Sequence, residues 1–357
     1  MTIFFPLIIA FFITIIATPL SLIFIKRLGL LDNPKTHKHP GIIHKKTIPR
    51  GGGIPFFIGI ALTGIFFFPL TKSIVWLFTA SLIALLIGIL DDKYDISPYI
   101  RFIGNIVAAI IVVLIGGITI PFITNPFGGI LYLNSIALSF GFLGIPISIA
   151  LSDIIAILWI IWVMNMLNWS KGVDGQMPGI VAISAITIGL LSLRFVGPDH
   201  FSKISLELSF MIAGASLGFL IFNFYPAKIF PGYGATAIYL LLAAASMLSG
   251  AKLATAILVM GIPMIDGLFT IFRRLLSGRS PFWHDKKHLH HLLLSFGFSQ
   301  RYIALFYWII SAILGTIALV LSSKEKLFAI IMLLIVVGGT LLFLHHLLKK
   351  NYDKDRL

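Results

Sequence analysis

The sequence predicts an all-α polytopic membrane protein with ten or eleven transmembrane helices and its N-terminus outside. Of its 357 residues, 58% are hydrophobic and 11% are charged, and the mean hydropathy is +1.03. Soluble proteins carry about 25% charged residues. Apolar stretches of roughly 20 residues, the length that spans a bilayer, recur along the whole chain. Lysine and arginine are concentrated in every second loop between these stretches.

Helices are expected for all the apolar stretches, because a helix satisfies its backbone hydrogen bonds internally. The stretches are residues 2–25, 53–70, 74–90, 99–116, 149–168, 177–196, 207–225, 235–250, 253–272, 302–322 and 327–347. Those near 53–90 and 235–272 are short, which leaves the count at ten or eleven. Residues 117–148, rich in Gly, Pro, Asn and Phe, predict an outside loop or hairpin. We expect one integral-membrane domain covering residues 1–357.

The basic residues set the predicted orientation. With the N-terminus outside, six of the 27 lysines and arginines lie on the outer side, and the other 21 lie at the cytoplasmic side. This is a strong positive-inside bias. It accounts for the formal charge of +14 without nucleic acid as a partner. The absence of cysteine excludes disulfides and thiol chemistry.

Two adjacent carboxylates, Asp91 and Asp92, end the third apolar stretch on the predicted cytoplasmic side. Neighbouring carboxylates repel each other, and a hard cation such as Mg²⁺ is a common reason to keep them together. The alternative is a solvated helix end that pairs with local lysines.

The first cytoplasmic loop contains HKKTIPRGGG, from His44 to Gly53. Its basic side chains, among them Lys45 and Arg50, precede a glycine run that lets the backbone approach a ligand closely. These features favour phosphate binding, whereas positive-inside charge alone is the alternative for the lysines.

A later cytoplasmic loop, SGRSPFWHDKKHLHH, contains three closely spaced histidines, His288, His290 and His291. Histidine adds little charge at neutral pH but offers hydrogen bonds to phosphate or proton transfer. Zinc is the less favoured interpretation, because no matching cysteine or acidic ligand set lies nearby.

The fifth apolar stretch ends in NMLNWSKGVDG, in which Asn165 and Asn168 lie three residues apart on one helix face. Their amides can orient a diphosphate or its metal, and helix capping or hydrogen bonds between helices are the alternative. Gly172 and Gly175 permit tight turns around Asp174.

In order along the chain, these motifs resemble the polyprenyl-phosphate N-acetylhexosamine-1-phosphate transferases. The resemblance includes DNP at Asp32 followed by HKKTIPRGGG, with a short insertion around KTHKHPGI; then DDKYDI, NMLNWSKGVDG and FNFYPAKIFPGYGAT. The most specific stretch is PMIDGLFTIFRRLLSGRSPFWHDKKHLHHLLLSFGFSQR, from Pro263 to Arg301. Its His-Leu-His-His form is similar to the branch that uses UDP-N-acetylglucosamine.

The resemblance implies transfer of a HexNAc-1-phosphate from a UDP-sugar to polyprenyl phosphate, with release of UMP, at the cytoplasmic face of the plasma (inner) membrane. It implies Mg²⁺, with Mn²⁺ as an alternative, and leaves a homodimer open. The implied site residues are Asp91, Asp92, His290 and His291 for catalysis; His44, Lys45, Arg50, Asn165, Asn168, Lys171, Asp174, Asn223, Lys228, Arg279 and His288 for substrate binding; and Asp91 and Asp92 for metal, with Asp174 and Asp266 as further candidates.

Two positions depart from the family pattern. Lys171 stands where the family has an aspartate after the second asparagine, and Tyr233 stands where it has an aspartate understood to bind Mg²⁺. Together they change the site by about three charge units. We expect that Lys171 supplies part of the missing neutralisation and lessens the need for metal. The alternative is a lysine that points into solvent.

Three functions remain open. The first is an active transferase, and the second is a degenerate family member that binds a lipid phosphate or nucleotide sugar without catalysis. The third is a lipid translocase or transporter, which would place polar groups near the membrane midplane. The clustering of the motifs at one predicted face favours the transferase.

Overall fold

Thirteen α-helices form most of the part of the chain that the structure describes. The computed structural model describes residues 2–35, 43–125, 128–142, 145–196, 200–248, 253–283 and 285–354. The helices are α1 (Phe5–Arg27), α2 (Gly53–Phe67), α3 (Lys72–Tyr94), α4 (Pro98–Ile110, continued by a π-helical turn at Ile111–Ile115), α5 (Leu151–Trp169), α6 (Gln176–Leu193), α7 (His200–Asn223), α8 (Thr236–Met247), α9 (Leu253–Val259), α10 (Gly261–Leu276), α11 (Leu289–Ser295), α12 (Gln300–Val320) and α13 (Ser323–Lys354).

The predicted all-α membrane class is confirmed. Within the described ranges, eight helices are long and apolar enough to cross a membrane, namely α1, α3, α4 with its π-helical turn, α5, α6, α7, α12 and α13. The pair α9 and α10 makes a ninth if it is one span, bent by 81° at its break. The direction in which these helices cross remains a prediction.

The predicted ten or eleven spans include two helices that are shorter than a bilayer. The helix α2 has 15 residues, as does α8 when the preceding 3₁₀ turn from Tyr233 is included. At 1.5 Å per residue each is about 22 Å long, against about 30 Å of hydrocarbon. Every residue of α8 is buried, so this helix is enclosed by the others. Its hydrophobic composition reflects burial in protein on all sides.

Within the described ranges, six short strands form three antiparallel pairs. In the loop between α1 and α2, β1 (Leu31–Asp32) pairs with β2 (Ile48–Pro49). The segment predicted as a loop or hairpin contains two hairpins, β3 (Phe122–Thr124) with β4 (Ile130–Tyr132) and β5 (Ala137–Phe142) with β6 (Ile145–Ala150). Apart from its first residue, the predicted insertion around KTHKHPGI lies outside the described residues.

The loop between α7 and α8 is inserted among helix ends. Phe230 N donates to Pro49 O at 2.8 Å, and Gly52 N donates to Phe230 O at 2.9 Å, which ties this loop to the one between α1 and α2. A Cβ on Gly88 of α3 would lie 2.3 Å from Gly234 Cα. Glycine at position 88 is therefore required for this approach, which places the loop beside the acidic end of α3.

Candidate active site

A cavity of about 430 Å³ opens where α3, α5, α7 and α10 end. Polar and charged side chains from five separated segments line it, and most of them were predicted site residues. The lining includes Asp32, His44, Arg50, Asp91, Arg101, Asn165, Asn168, Lys171, Asp174, Asn223, Tyr233, Arg274, Asp285, His288, His290 and His291. The tertiary structure therefore brings the separate sequence motifs into a single site.

Five predicted residues lie outside the lining of this cavity. Lys45 and Lys228 are exposed. Arg279 lies over the Trp283 ring at 3.7 Å and lines a smaller neighbouring pocket of about 200 Å³. Asp92 and Asp266 are buried and contact other parts of the site.

Asp91 and Asp92 are in the last turn of α3 and are 1% and 3% exposed. Asp91 Oδ2 lies 3.1 Å from Arg101 Nη1. Asp92 Oδ1 accepts a hydrogen bond of 2.8 Å from Tyr233 N and lies 3.5 Å from Arg50 Nε. Asp91 therefore faces the cavity, whereas Asp92 holds the loop between α7 and α8.

Sequence reasoning missed Arg101 as a site residue. It lies in the first turn of α4, ten residues after Asp91, and its guanidinium carbon is 5.1 Å from the centroid of the Tyr233 ring. A charged residue at the start of an apolar helix was the available signal. Arg274 and Asp285 were also missed, and they pair at 3.3 Å.

The two asparagines of α5 have different contacts. Asn165 Nδ2 donates to Ile161 O at 2.8 Å, within its own helix. Asn168 Oδ1 is buried and has no hydrogen-bond partner in the described part of the chain. Asn168 is thus the better candidate to bind a ligand, because a buried acceptor without a partner is unfavourable.

Lys171 reaches from the loop after α5 to the loop between α7 and α8. Its Nζ donates to Gly232 O at 2.8 Å and lies 5.7 Å from the centroid of the Tyr233 ring. Burial lowers the pKa of Lys171 to about 8, although Asp92 and Asp91 act in the opposite direction. The alternative that Lys171 points into solvent does not match these contacts.

Asp174 and Asn223 link the ends of α5 and α7. Asp174 Oδ2 accepts from Ala227 N at 2.9 Å, and burial raises its pKa. Asn223 accepts from Gly175 N at 3.1 Å and donates to Ile229 O at 2.8 Å. Since both groups of the Asn223 amide have protein partners, this side chain positions the loops around the cavity.

The segment that carries His288, His290 and His291, which we call the histidine loop, runs into α11 and is anchored by Asp266 of α10. Asp266 Oδ2 lies 2.8 Å from His288 Nδ1, and its Oδ1 accepts from Leu289 N at 3.0 Å. The rings of His288 and His290 stack with centroids 5.6 Å apart. Because Asp266 uses both oxygens to hold this loop, its contacts do not favour the predicted additional metal role.

His290 and His291 are neutral at pH 7. Burial lowers the pKa of His290 well below its usual value and that of His291 to about 4. His290 Nδ1 is buried and lacks a hydrogen-bond partner in the described ranges. These imidazoles can therefore exchange hydrogen bonds with a phosphate but do not add fixed positive charge.

Replacing both His290 and His291 by alanine is expected to lower turnover about 100-fold, the scale of a positioned acid–base or hydrogen-bonding group. The protein should remain folded, which its gel-filtration profile and thermal unfolding in detergent would show. His346→Ala, on the exposed side of α13, is the matched control. Full activity of the double variant would mean that the loop is only an interfacial segment.

The acidic pair fits a protein-bound divalent cation poorly. Asp91 alone of the pair lines the cavity, and one of its oxygens is paired with Arg101, while Asp92 is used to hold a loop. Adjacent residues on a helix do not face each other. Arg50, Arg101 and Lys171 all act on the pair electrostatically. Among the residues described, no group of three or more Asp, Glu, His or Cys is arranged to hold a metal.

Comparison with known proteins agrees with this description. The sequence pattern of glycosyl transferase family 4 matches residues 74–250. A probable undecaprenyl-phosphate N-acetylglucosaminyl 1-phosphate transferase of Bacillus subtilis (strain 168) is 30% identical over 325 residues, covering 87% of this chain and 82% of that protein. The decaprenyl-phosphate N-acetylglucosaminephosphotransferase of Mycobacterium tuberculosis (strain CDC 1551 / Oshkosh) is 33% identical over 325 residues, covering 82% and 76%.

The undecaprenyl-phosphate alpha-N-acetylglucosaminyl 1-phosphate transferase of Escherichia coli (strain K12) is 30% identical over 310 residues, covering 82% of this chain and 76% of that protein. The fold and the cavity define a multi-pass membrane protein with a polar, phosphate-compatible site at one end of its helices. The chain belongs to glycosyl transferase family 4.

Proposed function

We propose that this protein transfers N-acetylglucosamine-1-phosphate from UDP-N-acetylglucosamine to polyprenyl phosphate and releases UMP, the first step of a cell-envelope glycan. The relatives named above are transferases of this sugar phosphate to a polyprenyl phosphate. The observation that carries the proposal is the convergence of Arg50, Arg101 and Lys171 on one cavity with Asp91 and the neutral histidines.

The proposed reaction joins two anions. An oxygen of the lipid phosphate attacks the sugar-bearing phosphorus, and the bond between that phosphorus and the oxygen bridging to the UMP phosphorus breaks. UMP leaves with the electron pair of that bond. If the lipid phosphate reacts as a dianion, charge balances without transfer of a proton. Fixed cations that face the transferred phosphoryl group stabilise the charge of the transition state.

Charged and uncharged side chains of this cavity have different roles in substrate binding. Arg50, Arg101 and Lys171 provide positive charge toward the phosphates, because a guanidinium or an ammonium donates charge-assisted hydrogen bonds to phosphate oxygens. Asn168 and His290 each have a buried polar atom without a partner in the described part of the chain, and these atoms can orient the substrate. Mg²⁺, with Mn²⁺ as an alternative, remains a proposed cofactor only as an ion that enters with the substrate.

The proposal also covers the location of the site relative to the membrane. We infer that the cavity faces the cytoplasm, because nucleotide sugars are cytosolic and the motif loops carry the positive-inside charge. We also propose that the protein resides in the plasma (inner) membrane and that it assembles as a homodimer. A multi-pass membrane protein acting on a lipid-linked phosphate needs its cavity near the membrane surface, where the lipid phosphate resides.

The two alternatives are less well supported. A degenerate binding protein has no need for so many polar groups converging on one cavity. A transporter would need its charged binding groups near the membrane midplane, whereas the charged motif residues here gather around one cavity at the ends of the helices.

Purified protein supplied with UDP-N-acetylglucosamine and undecaprenyl phosphate is expected to release UMP, and release should require both substrates. A panel of UDP-sugars, read out by UMP formation and by the lipid product, identifies the preferred donor. No UMP from any UDP-HexNAc, together with measurable ligand binding, would favour the non-catalytic protein. Uptake into vesicles without sugar transfer would favour a transporter.

A further inference from the structure

The two unusual residues of the sequence meet in the structure. Lys171 follows α5 and Tyr233 precedes α8, 62 positions later in the chain, yet the Lys171 Nζ lies 5.7 Å from the Tyr233 ring centroid. The same Nζ donates to the carbonyl oxygen of the neighbouring Gly232 at 2.8 Å. The lysine is therefore held against the loop that carries the tyrosine.

The carboxylate of Asp92 lies directly beneath this loop. A Cβ on Gly232 would lie 2.0 Å from Asp92 Oδ2, and Asp92 Oδ1 accepts a 2.8 Å hydrogen bond from Tyr233 N. We call Asp92, Lys171, Gly232 and Tyr233 the Lys171–Tyr233 cluster. Its parts come from three separated segments, so its geometry is fixed by tertiary structure.

The ring of Tyr233 lies next to two cationic side chains, Lys171 and Arg101. Its hydroxyl accepts a 3.0 Å hydrogen bond from Asn105 Nδ2, and the guanidinium carbon of Arg101 lies 5.1 Å from its ring centroid. A phenol is uncharged at neutral pH and offers no anionic oxygen to a divalent ion. An aromatic face instead attracts ammonium and guanidinium groups, here those of Lys171 and Arg101.

The charges around the cluster oppose a resident divalent cation. Mg²⁺ and Mn²⁺ favour anionic oxygen ligands. Here two carboxylates, Asp91 and Asp92, share their surroundings with three cationic side chains, Arg50, Arg101 and Lys171. Asp32 is a third carboxylate here, 4.0 Å from Arg50, so three carboxylates face three cations and no excess of anionic charge is left for a divalent ion. Lys171 keeps N–H donors for an anionic ligand such as a diphosphate.

We propose that the Lys171 ammonium takes the place of a protein-bound divalent cation and contacts a non-bridging oxygen of the substrate diphosphate, so that a nucleotide sugar binds without a resident metal. An ammonium has three N–H donors, of which Gly232 O takes one. The remaining donors are available to phosphate. This inference rests on the proposed function for the identity of the ligand.

The first experiment measures metal binding without substrate. Purified protein stripped with EDTA is titrated with Mn²⁺, and free Mn²⁺ is followed by electron paramagnetic resonance. We expect no saturable binding below ~1 mM, because the site lacks an excess of anionic oxygens. The Lys171→Ala, Tyr233→Asp double variant removes one positive charge and adds a carboxylate, and should bind Mn²⁺ at least about ten-fold more tightly. Saturable micromolar binding by the unaltered protein, lost in Asp91→Asn, would overturn the inference.

The second experiment measures binding of UDP-N-acetylglucosamine by calorimetry, in EDTA and in excess Mg²⁺. The unaltered protein should bind with affinities that agree within about three-fold under the two conditions. Lys171→Met, which keeps the length of the side chain without its charge, should bind about ten-fold or more weakly in EDTA. The matched control is Lys93→Met, an exposed lysine next to Asp92, which should bind as the unaltered protein does. Equal affinity of Lys171→Met and the control in EDTA would refute the role of Lys171.

The two experiments separate this inference from the proposed function. If UMP is never released but UDP-N-acetylglucosamine binds in EDTA through Lys171, catalysis fails and the inference stands. If UMP is released only with Mg²⁺ and the substrate-free protein binds Mn²⁺ tightly, the transferase stands and the inference fails. Thermal unfolding of each variant identifies any that have lost their fold, and the measurements on the unaltered protein remain decisive.

Discussion

Asp91→Asn is expected to reduce UMP release at least about 100-fold while the protein remains folded, since removal of one preorganised polar group costs this much in a catalytic site. The Asp91 carboxylate lines the cavity and pairs with Arg101 at 3.1 Å. Its Oδ1 is buried without a hydrogen-bond partner in the described part of the chain. Without the negative charge, Arg101 is no longer held in its orientation toward the cavity.

Asp92→Asn should lower both activity and stability, which distinguishes it from Asp91→Asn. Its side chain holds the Tyr233 amide and lies 3.5 Å from Arg50, so loss of its charge should lower the free energy of unfolding by about 1–3 kcal/mol. UMP release and thermal unfolding in detergent measure the two effects. Glu325→Gln, an exposed carboxylate at the start of α13, is the control for activity. Activity of Asp91→Asn within two-fold of the unaltered protein would contradict our assignment of the cavity.

Gly172→Ala is expected to reduce turnover about 100-fold, because displacement of a catalytic group by about 1 Å has an effect of this size. A Cβ at position 172 would lie 1.9 Å from His290 Nε2 and 2.1 Å from its Cδ2. The imidazole, which is 2% exposed, would have to move. The measurement is the turnover number with both substrates saturating, together with the unfolding temperature.

A double variant tests whether the collision with the His290 ring causes the effect of Gly172→Ala. Gly172→Ala combined with His290→Ala removes the ring with which the new methyl group collides, so the unfolding temperature should recover relative to Gly172→Ala while activity stays low. Gly338→Ala, on α13, has open space around the added methyl group and should change neither quantity. If Gly172→Ala is fully active, the close approach of the SKGVDG loop to His290 has no functional importance.

The linear sequence was sufficient to predict every described α-helix except α11, Leu289–Ser295, which lies in a segment predicted as a loop. Ten of the eleven predicted apolar stretches correspond to one helix each, and the stretch 253–272 corresponds to the bent pair α9 and α10. The bend was not predictable, because hydropathy reports burial or lipid contact along the chain but not the angle between successive turns. The same limit explains α8, whose apolar composition fits a membrane span and a helix enclosed by protein equally well.

The sequence also identified most of the residues at the candidate site, because polar side chains at the ends of apolar helices are conspicuous. It did not identify their partners. Arg101 was counted only as topological charge, although it pairs with Asp91. Asp266 was considered as a metal ligand, although it anchors His288. The exposed Lys45 and Lys228 could not be distinguished from Arg50 by charge alone.

By itself, then, the sequence determined the membrane class, the predicted orientation and the motifs, since these follow from composition and from the order of residues along the chain. Tertiary structure decided which polar groups contact one another. The contact between Lys171 and the Tyr233 loop joins segments 61 residues apart, and the one between Tyr233 and Asp92 joins segments 141 apart. Such contacts depend on how helix ends pack, and no local pattern records that packing. The physical reason is that charges act through distance in space, whereas a sequence gives only distance along the chain.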